Sequence, residues 1–202
     1  MPTPPKEGKL LYHMTRLENM PSILEHALLS RKQAEERRLL SMDIADHEIL
    51  AERENFWSPR PLSEYVPFHF FVKNPFDGRV CRQYGSENMV IIAITREWAQ
   101  SLSSSYIVTA HPLHPSAQCL PYNEGYDAID WFALESRDYY NNDTKQKCMA
   151  ECLIPDGVAP EDFACIYVYT DEAKEELLKY PNSWRVKHYP ERYIQVAPYM
   201  FP

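Results

Sequence analysis

In "KCMAECLIP", Glu151 stands alone in a run of small and apolar residues. If the run is a strand, Cys148, Ala150, Cys152 and Ile154 share one face and Met149, Glu151 and Leu153 the other, because strand side chains alternate. Two uses fit such a carboxylate. An edge strand carries a charge to block pairing with another sheet. A carboxylate held on a strand beside a cleft can instead stabilise developing positive charge or take a proton. "YHMT" offers a second set: His13 and Thr15 fall on one strand face, where they could hold a ligand's hydroxyls or amide. Equally, His13 fits a buried, hydrogen-bonded structural histidine. "NMPSILEHALLS" then reads as a helix with Asn19 or Met20 at its N-cap, Pro21 at the first helical position, and an apolar stripe of Ile23, Leu24, Ala27 and Leu28. Its N-terminus would put partial positive charge beside the His13 face and suit an anion such as a pyrophosphate. Arg53, in "ILAEREN", is either a solvated helix residue or a two-pronged phosphate clamp.

Aromatic side chains form the next group. "EYVPFHFF" carries Tyr65, Phe68, Phe70 and Phe71, which make either a wall for a flat ring or a core strand. The polar stretch from His111 to Thr144 adds Tyr122, Tyr126, Trp131, Tyr139 and Tyr140. On a loop, such rings stack on unpaired bases or dock the loop onto the core. "HPLHP" holds His111 and His114 without cysteines or carboxylates at ligand spacing, so no metal site is expected. The five cysteines are scattered and include no C-x-x-C, which argues against a zinc site or a disulfide framework. Cys148 and Cys152 read as small core residues.

The elements that must position these residues read as strands over 9–15, 65–73, 88–95, 105–110, 148–155 and 163–170, with "RVKHY" as a last strand. Besides the helix after "YHMT", short helices are expected in 31–55 and in "GYDAIDWFALES", and an amphipathic helix in "DEAKEELLKY". Strands without βαβ alternation give an α+β fold with a mostly antiparallel sheet or pair of sheets. The 202 residues suit a single domain, 1–202. Only 5 glycines occur, with no G-x-G-x-x-G or P-loop pattern, which argues against Rossmann and P-loop sites. "MPTPPKEGK" lacks the apolar core of a secretory signal, and no apolar run nears the length of a membrane span, so a cytoplasmic protein away from membranes is expected. A net charge of -8 argues against a large non-specific nucleic-acid footprint, though not against a local basic groove.

These pieces occur in one order: "YHMT", "NMPSIL", the arginine of "ILAER", "YVPFHFF", and a long aromatic stretch ending in "TKQKCMAECLIP". That order resembles the DarT family of NAD-dependent ADP-ribosyltransferase toxins. The resemblance implies the ADP-ribosyltransferase fold, in which two mostly antiparallel β-sheets with flanking helices form a split cleft for NAD. Glu151 and Arg53 match the family's catalytic glutamate and arginine. His13, Thr15, Asn19, Tyr65 and Phe68 match its NAD contacts. Residues from about 122 to 147 correspond to its acceptor-reading loop, with Trp131, Lys145 and Lys147 as substrate contacts and Arg16, Arg31 and Lys32 as further phosphate partners. The implied reaction moves ADP-ribose from NAD to a nucleobase of single-stranded DNA, or of RNA such as messenger RNA, and releases nicotinamide without a metal. A protein-directed transferase or an NAD glycohydrolase would use the same fold, and a non-catalytic NAD- or nucleic-acid-binding module is the reading from another class. A toxin of this kind implies a neutralising antitoxin, a macrodomain or another protein, and a place in phage defence. The sequence departs from the family at Ala27, where glycine is frequent, in "HFFVKNPFDGRV", and at Lys145 and Lys147, where arginine is more usual. These departures fall mainly on the acceptor side.

Overall fold

Eight strands make the main sheet of this computed structural model, which describes residues 3–39, 52–53, 55–182 and 190–202. In chain order the strands are β1 (Leu10–Arg16), β2 (Leu28–Leu29), β3 (Tyr65–His69), β4 (Met89–Thr95), β5 (Tyr106–Val108), β6 (Cys119–Pro121), β7 (Glu151–Pro155), β8 (Gly157–Val158), β9 (Cys165–Val168) and β10 (Ile194–Val196). The main sheet runs β10-β9-β4-β1-β3-β7-β5-β6, and β2 pairs separately with β8. Among the described residues, only the β9–β10 pairing is parallel.

The sheet is split along its middle. β1 is in register with β4 from Leu10 to Arg16, and β3 with β7 from Tyr65 to His69. Between β1 and β3 the register holds only at Tyr12 and His69. Pro67 has no N–H to offer a ladder. In its place the His13 ring bonds the Pro67 carbonyl through Nδ1 at 2.8 Å. The half-sheets β10-β9-β4-β1 and β3-β7-β5-β6 therefore flank an opening, as the split-sheet expectation requires.

Packing explains the composition of each half. β4, "MVIIAIT", is buried at every position but its last because β1 and β9 cover its edges and helices its faces. Val90, Ile92 and Ile94 pack with Leu11, Phe68 and Phe70 on one side. Met89, Ile91 and Ala93 pack with Met14, Val80 and Cys81 on the other. All five cysteines are buried thiols.

The helices are α1 (Met20–Glu25), α2 (Arg31–Glu36), α3 (Pro75–Tyr84), α4 (Arg96–Ser101), α5 (Tyr122–Ala128), α6 (Trp131–Ser136), α7 (Asn142–Lys147), α8 (Asp171–Leu178) and α9 (Pro190–Tyr193). Three sequence expectations change here. The helix after "YHMT" ends at Glu25, and Leu28 joins β2 instead of an apolar stripe. Its N-cap is Asn19, but that side chain donates to Thr15 Oγ1 at 3.1 Å rather than capping. With six residues, α1 brings little dipole to the His13 face. The strand expected over 148–155 starts at Glu151, because α7, capped by Asn141, runs to Lys147 and closes in a turn. The expected strand over 65–73 stops at His69, where "KNPFDGRVCRQY" forms α3 behind a capping box of Asn74 and Asp77. "RVKHY" and most of 40–54 lie outside the described residues.

Candidate active site in the split sheet

Glu151 opens β7, in register with His69 of β3 on one side and Val108 of β5 on the other. It is only 3% exposed, which removes the surface-charge reading. Its partner is Arg53, 98 residues away in sequence: Nη1 donates to Oε1 at 3.0 Å and Nη2 to Oε2 at 2.7 Å. Such a two-pronged pair fixes the carboxylate in place and in plane. Burial by itself would raise the Glu151 pKa. The Arg53 guanidinium, helped by His69 and His111, outweighs burial and holds the carboxyl below its usual range. The carboxylate thus stays ionised while each oxygen keeps a lone pair for a ligand.

Three histidines line the cleft near it: His13, His69 and His111. The Pro67 carbonyl can only accept, so His13 carries its proton on Nδ1 and presents Nε2 as an acceptor. Burial lowers its pKa to about 4, so it is neutral at pH 7. His69 donates from Nδ1 to the Ala150 carbonyl at 3.2 Å. His111 is the opposite case. Its Nδ1 accepts the Leu113 N–H at 3.2 Å, so its proton lies on Nε2. Burial lowers its pKa against the pull of Glu151. The cleft thereby presents the His13 Nε2 as an acceptor and the His111 Nε2–H as a donor near one carboxylate.

The cleft encloses about 880 Å³, near the upper end of ligand sites, which span about 300–1,000 Å³. Its described lining includes Arg31, Arg53, Lys73, Arg79, Arg82 and Lys145, and Glu151 is the only acidic side chain among them. A chain of net charge -8 therefore holds a basic cleft. No group of three or more His, Cys, Asp or Glu among the described residues could hold a metal ion.

The expected site residues divide into two groups. His13, Thr15, Asn19, Arg53, Tyr65, Lys145 and Glu151 all line the cleft. Tyr65 stands edge-on to Tyr106 with ring centres 6.3 Å apart, and burial pushes its pKa to about 12. Phe68 does not line it: strand alternation turns Tyr65, Pro67 and His69 toward the cleft and sends Phe68 into the core, where it packs against the His13 ring at 5.6 Å. Trp131 also turns inward, with Phe70 at 5.4 Å and its Nε1–H on the Tyr126 carbonyl. Together Phe70, Tyr126 and Trp131 box the buried Arg96 guanidinium, which bonds the carbonyls of Pro5, Lys6, Leu10 and Phe70. Lys147 is engaged by Asp143 at 2.8 Å and Asp130 at 3.0 Å. Arg16, Arg31 and Lys32 pair with Glu18, Glu35 and Glu64.

Sequence reasoning missed His69 and the α3 cations Arg79 and Arg82, and it weighed His111 only as a metal ligand. The signal for His69 was present: Tyr65, Pro67 and His69 share one face of β3. Between residues 122 and 147 the exposed rings are Phe132 and Tyr140, each one residue beyond a ring that turns inward or onto the cleft.

Comparison with known proteins places this architecture. The family model described as "ssDNA thymidine ADP-ribosyltransferase, DarT" matches residues 12–201. A DNA ADP-ribosyl transferase–DNA ADP-ribosyl glycohydrolase fusion protein of Thermosipho africanus is 26% identical over 187 residues, covering 90% of this chain and 48% of that protein. Thermosipho africanus DarTG in complex with ADP-ribose superposes with a TM-score of 0.78 at 22% identity, over 96% of this chain and 51% of that one. Thermus sp. 2.9 DarT in complex with ADP-ribosylated ssDNA gives 0.78 at 21% identity, over 97% of each chain. The chain spans about half the length of the fusion relatives.

Proposed function

The chain belongs to the DarT family, and from that premise we propose that it is an NAD-dependent ADP-ribosyltransferase acting on a base of single-stranded DNA, thymidine by the family's description. The observation that carries this reading is the ionised Glu151 carboxylate, pinned by Arg53 at the floor of a basic cleft between two half-sheets. NAD, when bound, supplies the ADP-ribosyl group and loses nicotinamide. The lining fits its two chemistries: Thr15, Asn19 and the His13 Nε2 suit hydroxyl and amide groups, and Arg31 and Arg53 suit a pyrophosphate. Glu151 would stabilise the positive charge that develops at the sugar carbon as its bond to nicotinamide breaks.

Thymine in a nucleotide has one ring N–H. Glu151 would take that proton as the nitrogen bonds the sugar carbon and neutral nicotinamide departs, so charge and atoms balance. His111, with its proton on Nε2, would donate to an acceptor oxygen of the base. One sheet drawing strands from Leu10 to Val196 supports treating 1–202 as a single domain. The fused transferase and glycohydrolase of the Thermosipho africanus relative support a partner that removes ADP-ribose from DNA, and with it a toxin role. No described helix is long and apolar enough to cross a membrane.

The test is labelled NAD with single-stranded DNA, single-stranded RNA and cell protein in parallel. Label should reach DNA, and Glu151→Gln should lower the rate about 10²–10³-fold, as removal of one preorganised charge-stabilising group does. Label on protein alone would overturn the acceptor; undiminished transfer by Glu151→Gln would overturn the role of the carboxylate.

A further inference from the structure

Two local features of the α3 wall are unfavourable for the backbone, and packing accounts for neither. Lys73, just before α3, has φ +62°, a left-handed conformation in which glycine would be relaxed. It is held there: its N–H donates to Asp77 Oδ2 at 2.8 Å, and Tyr139 OH donates to its carbonyl at 3.0 Å. A corner that would relax with glycine keeps a lysine side chain at the cleft's edge. Gly78, in the middle of α3, weakens the helix relative to alanine. Yet a Cβ there would meet only Arg82 Nη1, at an ordinary 3.5 Å. No steric demand within the protein requires glycine, and the residue bares backbone to the cleft, where a ligand can approach closely.

These features sit at one end of the cleft. At the Tyr65 end of β3, Glu64 bonds Lys32 of α2 at 2.9 Å. Toward the His69 end, Lys73 before α3, Arg82 of α3 and Lys145 of α7 line the cleft with Tyr139, and Tyr140, which follows Tyr139, is exposed. We propose that this α3 flank is the track for the acceptor strand. Lys73, Arg82 and Lys145 contact its phosphates, Gly78 admits its backbone closely, and Tyr140 stacks on an unpaired base. The proposal rests on the transferase reading for the identity of the strand, but not for its own test.

That test measures binding, not turnover. Fluorescence anisotropy of a labelled thymidine-containing single strand is followed across salt concentrations for the wild type, Arg82→Glu, Lys145→Glu and Gly78→Ala. Each lost phosphate contact lowers the slope of log affinity against log salt by about 0.7 and weakens binding about fivefold at 0.1 M salt. Lys179→Glu, with the same change in net charge just beyond α8, should match the wild type. Gly78→Ala should bind more weakly while melting at a higher temperature, which a purely structural glycine would not do. Unchanged Kd and slope in Arg82→Glu and Lys145→Glu overturn the track even if transfer to DNA is observed. NAD affinity, measured on the same proteins, separates the two sources of phosphate: if the variants weaken NAD and not DNA, the flank holds the donor's pyrophosphate and the proposal falls. Intact DNA binding on this flank by a protein that transfers nothing would sustain the track and refute the transferase reading alone.

Discussion

Arg53→Ala leaves the Glu151 carboxylate nearly enclosed with its partner gone. Two unit charges about 4 Å apart interact by about 4 kcal/mol at the effective dielectric of about 20 that suits such sites. Removing one member of a buried pair destabilises by about 3–5 kcal/mol. The Arg53 side chain keeps 18% exposure, so water screens part of this, and the expected loss at pH 8 is about 3 kcal/mol. The sign with pH follows from the carboxyl. In the wild type its pKa is held below the usual range, so the pair contributes stability above the unfolded pKa and loses it as pH falls through the folded value. In the variant the largest influence left is burial, which raises the pKa, so stability is lost as pH rises. The gap between the two proteins therefore widens from pH 4 to pH 8. Urea unfolding at both pH values measures it, with under about 1 kcal/mol expected at pH 4. Arg53→Ala/Glu151→Gln should recover most of the loss at pH 8. An equal loss at both pH values, or a double variant no more stable than Arg53→Ala, refutes the reasoning that an unpaired buried charge is the cost.

His13 gives the second prediction. Its folded pKa, about 4 against an ordinary 6.5, means stability present above pH 6.5 and lost as pH falls toward 4, by about 2–3 kcal/mol across that window. His13→Gln should flatten that stretch of the stability profile in urea titrations at successive pH values. The aromatic loop gives the third. Trp131→Ala should destabilise by about 3–5 kcal/mol because it opens the box around Arg96, whereas Phe132→Ala, one residue on and exposed, should stay within about 0.5 kcal/mol. Thermal and urea unfolding of the two variants decide it.

The sheet was legible where periodicity and composition agreed. "NMVIIAIT" is almost wholly apolar because β4 is covered on both faces, and the strand follows within one residue. α3 was not legible, because "NPFDGRVCRQY" has little apolar periodicity; its start is set by the Asn74–Asp77 capping box, and Asp77 is buried with its pKa pushed to about 6. The pairing of Arg53 with Glu151 could not be read from spacing, since tertiary folding alone brings residues 98 apart together. Lys147 and Lys145 look alike in "TKQK". Only the three-dimensional placement of Asp130 and Asp143 shows that Lys147 is engaged and that Lys145 faces the cleft. Trp131 was misread for a related reason: on a helix, adjacent residues point about 100° apart, so its neighbour Phe132 reaches solvent.

Arg96 has a mechanical meaning beyond its own stability. It begins α4 at the end of β4, on the β1 half of the sheet, and it holds Leu10 O of β1 at 3.2 Å. The same guanidinium holds Phe70 O, just past β3, at 3.0 Å. That rivet lies beside the Tyr12–His69 pair, where the two half-sheets are in register. The halves are fastened from this corner as far as the bond from the His13 ring to the Pro67 carbonyl, and they separate beyond it. Any rotation about these ties would change the width between Thr15 and Tyr65 more than the spacing near Glu151 and His69, which lie beside them. Such a layout would hold the Glu151 corner while leaving the opposite mouth free to take molecules of different bulk.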